Sequence, residues 1–343
     1  MERKEKLSQK FTRRQALKVA GAGIALLALD TLLTSCGETT ATETVNPTTS
    51  PTPKEPFSKD PKNYVPGIKK SRIETPSPTP KPELSPVFLR LKENLQAEIQ
   101  NFDGDATIAI TDLEDNETFS INGEVQHRTG CTANILTYLV VLEDLQNGKY
   151  ELTPDLEWLM IQGVPKSQPE FVYRLVQAAI GSTEEAVRRA NELLKRLGTK
   201  NSVMDHLPLY GGLESPPNYF SADDANLLLT KLYKGEILNQ EWTNFAINTL
   251  TNTDYSVDFI IPQLLPAGLK VPHKIGYYAN DATGLVYNDM GFVISDQTHA
   301  FSIAYFSQYG KWIASGLHDQ EGAMLGGRLA QIAFLHFKEK HGL

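Results

Sequence analysis

Strand-like alternation occurs at two widely separated places in this chain, and helical periodicity fills the interval between them. Ala106-Thr107-Ile108-Ala109-Ile110-Thr111-Asp112 alternates branched residues with small or polar ones, and Glu117 to Ile121 alternates again. Glu114-Asp115-Asn116 between them reads as a hairpin turn. Strand signal returns only after Pro272, at Gly291 to Ser295 and Ala300 to Phe306. In between, apolar residues follow helical spacing over Ile135 to Leu145, Phe171 to Ile180, Thr183 to Leu197, Ala222 to Lys234 and Gln240 to Leu250. Further helices are expected at Phe88 to Ile99 and Glu321 to Lys338. Isolated strand pairs are marginal in water, so both ends of the chain must contribute to one sheet. The order predicts an α+β fold: a mostly antiparallel sheet flanked by N- and C-terminal helices, with an inserted all-α subdomain. The sheet part is expected at 85–128 and 268–343, and the helical part at 129–267.

The residues before this region read differently. Thr12-Arg13-Arg14-Gln15-Ala16-Leu17-Lys18 resembles a twin-arginine export signal. The apolar run that follows, Val19 to Leu33, is shorter than the ~20 residues of a membrane-spanning helix, which favours a signal peptide over 1–35. It ends in Leu33-Thr34-Ser35-Cys36-Gly37, which looks like a lipobox with Cys36 as the lipidated residue. Acyl chains contribute about 0.8 kcal/mol per buried methylene, so two or three of them anchor a protein stably. Residues 36–84 are rich in Thr, Pro and Ser and poor in large apolar side chains, as expected of a disordered stalk. Together these segments imply an extracytoplasmic protein held to the cell membrane through lipid on Cys36.

The first 35 residues carry seven Lys/Arg and three Asp/Glu, so their removal takes the formal charge from −8 to −12. A domain this acidic lacks the basic surface that phosphate binding requires, which argues against nucleic acid as a partner. Only two cysteines are present. Lipidation of Cys36 would leave Cys131 alone, with no internal disulfide to make.

Four local motifs carry a resemblance. Val271-Pro272-His273-Lys274-Ile275-Gly276, followed by Tyr287-Asn288-Asp289-Met290-Gly291, looks like a Lys-Thr-Gly edge strand and its neighbour. Tyr219-Phe220-Ser221-Ala222-Asp223-Asp224 resembles the helix start that follows an Ω-type loop. Gly130-Cys131-Thr132-Ala133-Asn134 falls where Ser-x-x-Lys is expected. The Ser-Asp-Asn loop has two placements, Ser167-Gln168-Pro169 and Ser182-Thr183-Glu184; the first leaves a helix of the expected length. In this order the motifs of residues 85–343 resemble the class A β-lactamases and the wider penicillin-recognising serine hydrolases.

The resemblance implies a cleft containing Cys131, Ser167 and Lys274, with Asn134, Ile275 and Gly276 lining the substrate position. Each departure from the family pattern has a chemical consequence. Cys131 stands for serine; a thiol attacks carbonyls only as thiolate and needs a cation or base beside it. Lys274, His127 and His273 are the candidates. Without one, Cys131 is a small buried residue at a helix start. Asn134 stands for the lysine and cannot accept a proton at neutral pH. Ile275 has no hydroxyl for a substrate carboxylate, leaving backbone N–H groups to offer an oxyanion hole. No glutamate follows Leu197-Gly198 closely: Glu214 is late, and Asp205 could replace it only if the loop is rebuilt. Tyr277 and Tyr278 are expected to pack the sheet or cleft wall, Asp223-Asp224 to cap a helix, and Trp158, Trp242 and Trp312 to be core or near-core anchors.

Three functions are compatible with this pattern. The favoured one is a tethered β-lactamase-like domain with lost or altered catalysis that binds a cell-wall-related peptide. The second is a hydrolase or acyltransferase acting on β-lactams or peptides through Cys131. The third is a structural or assembly lipoprotein. None needs a cofactor, and no metal-binding motif is apparent.

Overall fold

The computed structural model describes residues 83–208, 217–280, 284–296 and 299–343. The export signal, the lipobox with Cys36, the stalk and Glu214 lie outside the described residues. Leu84–Leu343 falls within one compact unit.

Chain order begins with α1 (Pro86–Gln100), β1 (Asp105–Asp112), β2 (Thr118–Ile121) and β3 (Gln126–Arg128). A 3-10 turn, Gly130–Ala133, runs directly into α2 (Asn134–Gln146). The helical part continues with α3 (Pro154–Gly163), α4 (Pro169–Ala179) and α5 (Thr183–Leu197). After β4 (Tyr219–Ser221) come α6 (Ala222–Tyr233) and α7 (Gln240–Thr249). The chain closes with β5 (His273–Asn280), β6 (Gly284–Ile294), β7 (Ala300–Gln308) and α8 (Glu321–His341). The main sheet is ordered β2-β1-β7-β6-β5, with every neighbouring pair antiparallel. β3 and β4 form a separate two-stranded ribbon. The two chain ends do build one sheet, and the fold is α+β.

Local signals account for the helix boundaries. Ser85 caps α1 by accepting from the Phe88 amide, and Pro86 occupies a first-turn position that needs no N–H donor. Phe88, Leu91, Leu95 and Ile99 recur on one helix face and are buried. They join an apolar cluster with Ile108, Ile303 and Tyr305 of the sheet and Leu325, Leu329 and Phe337 of α8. The opposite sheet face, through Met290, Phe292 and Ala304, packs on α2 and α6. α2 is apolar nearly all round and is buried from Asn134 to Leu142, as the centre of a two-layer core must be.

Three sequence expectations need correction. α3 was not anticipated, although Thr153-Pro154 is a cap followed by a first-turn proline and Thr153 accepts from Leu156. Ser221, not the aspartate pair, caps α6, while buried Asp224 accepts from the Lys200 and Asn201 amides and the Ser202 hydroxyl. Trp158 and Trp312 are about half exposed rather than core residues. No helix among the described residues is long and apolar enough to cross a membrane.

Candidate functional site

β5 is a sheet edge, and period-two alternation splits its side chains between two environments. Lys274 and Gly276 face the helical part. Ile275 and Tyr277 face the apolar cluster under α1 and α8. Lys274 is fully buried, and its Nζ donates to Ser167 Oγ at 2.6 Å and to the Ile275 carbonyl at 2.7 Å. Burial pushes its pKa down to about 7, with the Asp289 carboxylate opposing the shift. Two residues 107 positions apart thus form one buried pair.

Ser167 sits just before α4 in a left-handed conformation, φ +57°, which costs a non-glycine residue about 1–2 kcal/mol. Its amide bonds to Val164 O, closing the turn that aims the hydroxyl at Lys274. Ser182, the rival placement, is instead the N-cap of α5 and accepts from the Glu185 amide.

Gly276 brings the edge strand onto the turn that carries Cys131. A Cβ at this position would lie 2.5 Å from the Thr129 carbonyl oxygen and 2.8 Å from the amide nitrogens of Cys131 and Thr132. All three are backbone atoms and cannot swing aside. Gly276→Ala is therefore expected to cost about 2–3 kcal/mol in urea unfolding, at the upper end of core overpacking. A loss below about 0.5 kcal/mol would mean that the strand and turn are not in contact.

Asn288 of β6 fixes the same turn from below, and sequence reasoning gave it no role. Its Nδ2 donates to the carbonyls of Arg128 (2.7 Å) and Thr129 (3.1 Å), and its Oδ1 accepts from the Ser307 amide. Asn288 pairs in register with Gly276, so it projects from the same sheet face.

Cys131 and Asn134 are both buried in the turn and the first residue of α2. Neither amide atom of Asn134 has a hydrogen-bond partner, an unsatisfied pair at the position where the family's lysine would stand. Cys131 is disulfide-bonded, and no free cysteine occurs among the described residues. The expectation of a lone thiol is corrected accordingly. The chain's other cysteine, Cys36, lies outside the described residues. A lipidated Cys36 has no thiol left to give, so a disulfide to it and a lipid anchor on it exclude one another.

The two histidines proposed as activators sit in other surroundings. His273 lies on the sheet face away from Lys274, where Nδ1 is 2.9 Å from both oxygens of buried Asp289. His127 on β3 stacks on Phe306, with neither ring nitrogen hydrogen-bonded, and burial pushes its pKa down to about 4. Asp205 is exposed; its backbone N–H, not its carboxylate, is held, by Asn218 Oδ1 at 2.6 Å. The Ile275 side chain is packed in the apolar cluster, so only its backbone is left for a ligand. A cavity of about 630 Å³ beside Lys270, Asn248 and Tyr233 includes none of Cys131, Ser167 and Lys274.

What the arrangement retains is a buried serine–lysine pair and a glycine-mediated strand–turn contact. What it lacks is a proton acceptor at Asn134. The same architecture appears in solved structures of low identity, which show the fold. A class A β-lactamase from Bacteroides cellulosilyticus DSM 14838 aligns with a TM-score of 0.62 at 17% identity, covering 74% of this chain and 99% of that one. A β-lactamase from Sphaerobacter thermophilus DSM 20745 gives 0.59 at 20% identity, covering 73% and 97%. A protein described as PBP-A gives 0.59 at 16% identity, covering 73% and 96%. No curated protein sequence matches the chain. The model of the beta-lactamase enzyme family matches residues 90–160 and 186–337, well over half of the chain. With motif order, sheet topology and family match in agreement, this chain belongs to the beta-lactamase enzyme family.

Proposed function

We propose that this protein is a lipid-tethered, extracytoplasmic β-lactamase-like domain whose catalysis is lost or altered, and that it binds a cell-wall-related peptide. The observation that carries the reading is the nucleophile turn. Asn134 offers an amide where a base is needed, and loss of a positioned base costs roughly 10²–10⁴ in rate. The retained Lys274–Ser167 pair carries N–H and O–H donors suited to a peptide carboxylate, which reaches them only if the cleft opens, since both side chains are buried. A carboxylate arriving beside Lys274 favours its charged form, so binding should be strongest below pH 7 and weaken as Lys274 loses its proton.

Export and anchoring rest on the arginine pair and the Leu33-Thr34-Ser35-Cys36 string. In the lipidated form Cys131 would be a thiol. Lys274, whose pKa is pushed down to about 7 and which the resemblance places in the same cleft, is then a candidate to activate it, and this keeps an acyl-transfer reading open to test.

Acyl-D-Ala-D-Ala peptides and β-lactams, incubated with protein isolated from membranes, are expected to bind saturably at pH 6 without a mass adduct. Affinity should fall several-fold by pH 8, and the same protein should carry acyl chains on Cys36. An adduct that disappears in Cys131→Ala would replace this reading with a cysteine acyl-enzyme. A Cys131 that resists alkylation until reductant is added would remove the lipid tether.

A further inference from the structure

Far from Cys131 in the sequence, three chain segments bring two histidines and a glutamate together. Glu114 lies in the β1–β2 turn, His299 just before β7, and His341 at the last residue of α8. One ligand atom from each lies within 4.8 Å of the other two. His341 Nδ1 is 3.0 Å and His299 Nε2 is 3.5 Å from Glu114 Oε2. The two imidazole centres are 5.2 Å apart.

The outer ring nitrogens are also engaged by carboxylates. His341 Nε2 is 2.8 Å from Asp112 Oδ2, and His299 Nδ1 is 2.9 Å from Asp296 Oδ1 and Oδ2. A neutral imidazole has one N–H and one lone pair. Each ring here meets a carboxylate at both nitrogens, so whichever tautomer it adopts, one nitrogen faces an oxygen lone pair to lone pair. Two remedies exist. Each ring can carry a second proton, which sets two imidazolium charges side by side. Alternatively, one cation can sit among the three inner atoms while the aspartates hold the outer N–H groups.

The second remedy has the form of a metal centre. A metal-ligating histidine usually gives its other N–H to a carboxylate, which fixes the ring and raises its basicity. Zinc bonds of about 2.0–2.1 Å in tetrahedral geometry require ligand atoms about 3.3 Å apart. The 3.0 and 3.5 Å separations bracket that edge. Lys340 does not fill the position: its Nζ bonds to Asp112 Oδ2, the same oxygen that faces His341 Nε2, and to Asp115 and Glu117.

We infer that Glu114, His299 and His341 form a binding site for one divalent transition-metal ion of the zinc class, with Asp112 and Asp296 orienting the two histidines. Three protein ligands leave a fourth position for water. The ion joins the β1–β2 turn, the β6–β7 connection and the end of α8, and so fastens the C-terminal helix to the sheet.

Co²⁺ and Zn²⁺ are the probes, added to the full chain after chelator treatment and dialysis. Co²⁺ should give visible d–d absorption saturating at one equivalent, and Zn²⁺ should displace it. Zn²⁺ at a hundredfold excess over its Kd should raise the Tm by about 5 °C or more. His341→Gln and His299→Gln should each weaken binding by tenfold or more, while melting as wild type does without metal. Asp296→Asn should weaken it less, in the manner of an outer partner. Lack of saturable one-to-one binding would overturn the site, as would binding undiminished in both histidine variants. A histidine variant that fails to fold leaves Glu114→Gln, at an exposed turn, to decide by the same titration.

Discussion

Wild-type protein is expected to gain up to about 5 kcal/mol of stability over Lys274→Met as pH rises from 7 to 10.5. Burial lowers the Lys274 pKa to about 7 in the folded chain, against 10.5 when unfolded. Below pH 7 the lysine is charged in both states, and the folded protein bears the full cost of a desolvated ammonium. Between 7 and 10.5 the unfolded chain binds the extra proton, so stability rises with pH. Three and a half units at 1.36 kcal/mol each give the upper figure. Lys274→Met also leaves Ser167 Oγ and Ile275 O without their donor, but that loss hardly varies with pH and offsets the curve rather than tilting it. Urea unfolding of both proteins from pH 6 to 9.5 measures the slope. Parallel profiles would mean that Lys274 keeps an ordinary pKa, and the pH-dependent binding proposed for the cleft would fall with it.

The same lysine shows how far the sequence could be read. Its place on an edge strand followed from the Lys274-Ile275-Gly276 string, while motif order put it only in the same cleft as Ser167 and did not give their hydrogen bond. The fold was legible because it depends on periodicity: strands at both ends and amphipathic helices between them admit few arrangements. The chemistry around the turn was less legible because it depends on which sheet face a residue occupies. His273 and Lys274 are neighbours in sequence, yet alternation sends one to the α8 face and the other to the helical part. Asn288 has no motif of its own, and its role appears only through its register with Gly276. Glu114, His299 and His341 are invisible as a group, since a hairpin turn, a loop and a helix end must all fold before they meet. The Cys131 disulfide was excluded in advance by an argument about lipid on Cys36, a covalent choice that periodicity does not reveal.

Acidification should act on a second buried base. His127 lies between the ribbon and the sheet, stacked on Phe306 and opposite Phe220, with both ring nitrogens unpartnered. Burial lowers its pKa to about 4, while Asp105 pulls weakly the other way. Between pH 6.5 and 4 the unfolded chain takes up a proton that the folded chain refuses, so stability falls as pH falls through this window. Two and a half units correspond to about 3 kcal/mol, a large share of the 5–15 kcal/mol that holds a domain together. His127→Phe keeps the ring and the stacking but removes the titration. Its stability should stay nearly flat against wild type above pH 6.5, then exceed it by a growing margin down to pH 4. Equal losses in both proteins would show that the ring is hydrated or paired in solution. A loss confined to wild type would identify protonation of His127 as the step by which acid opens this domain, because β3 leads directly into the Gly130–Ala133 turn.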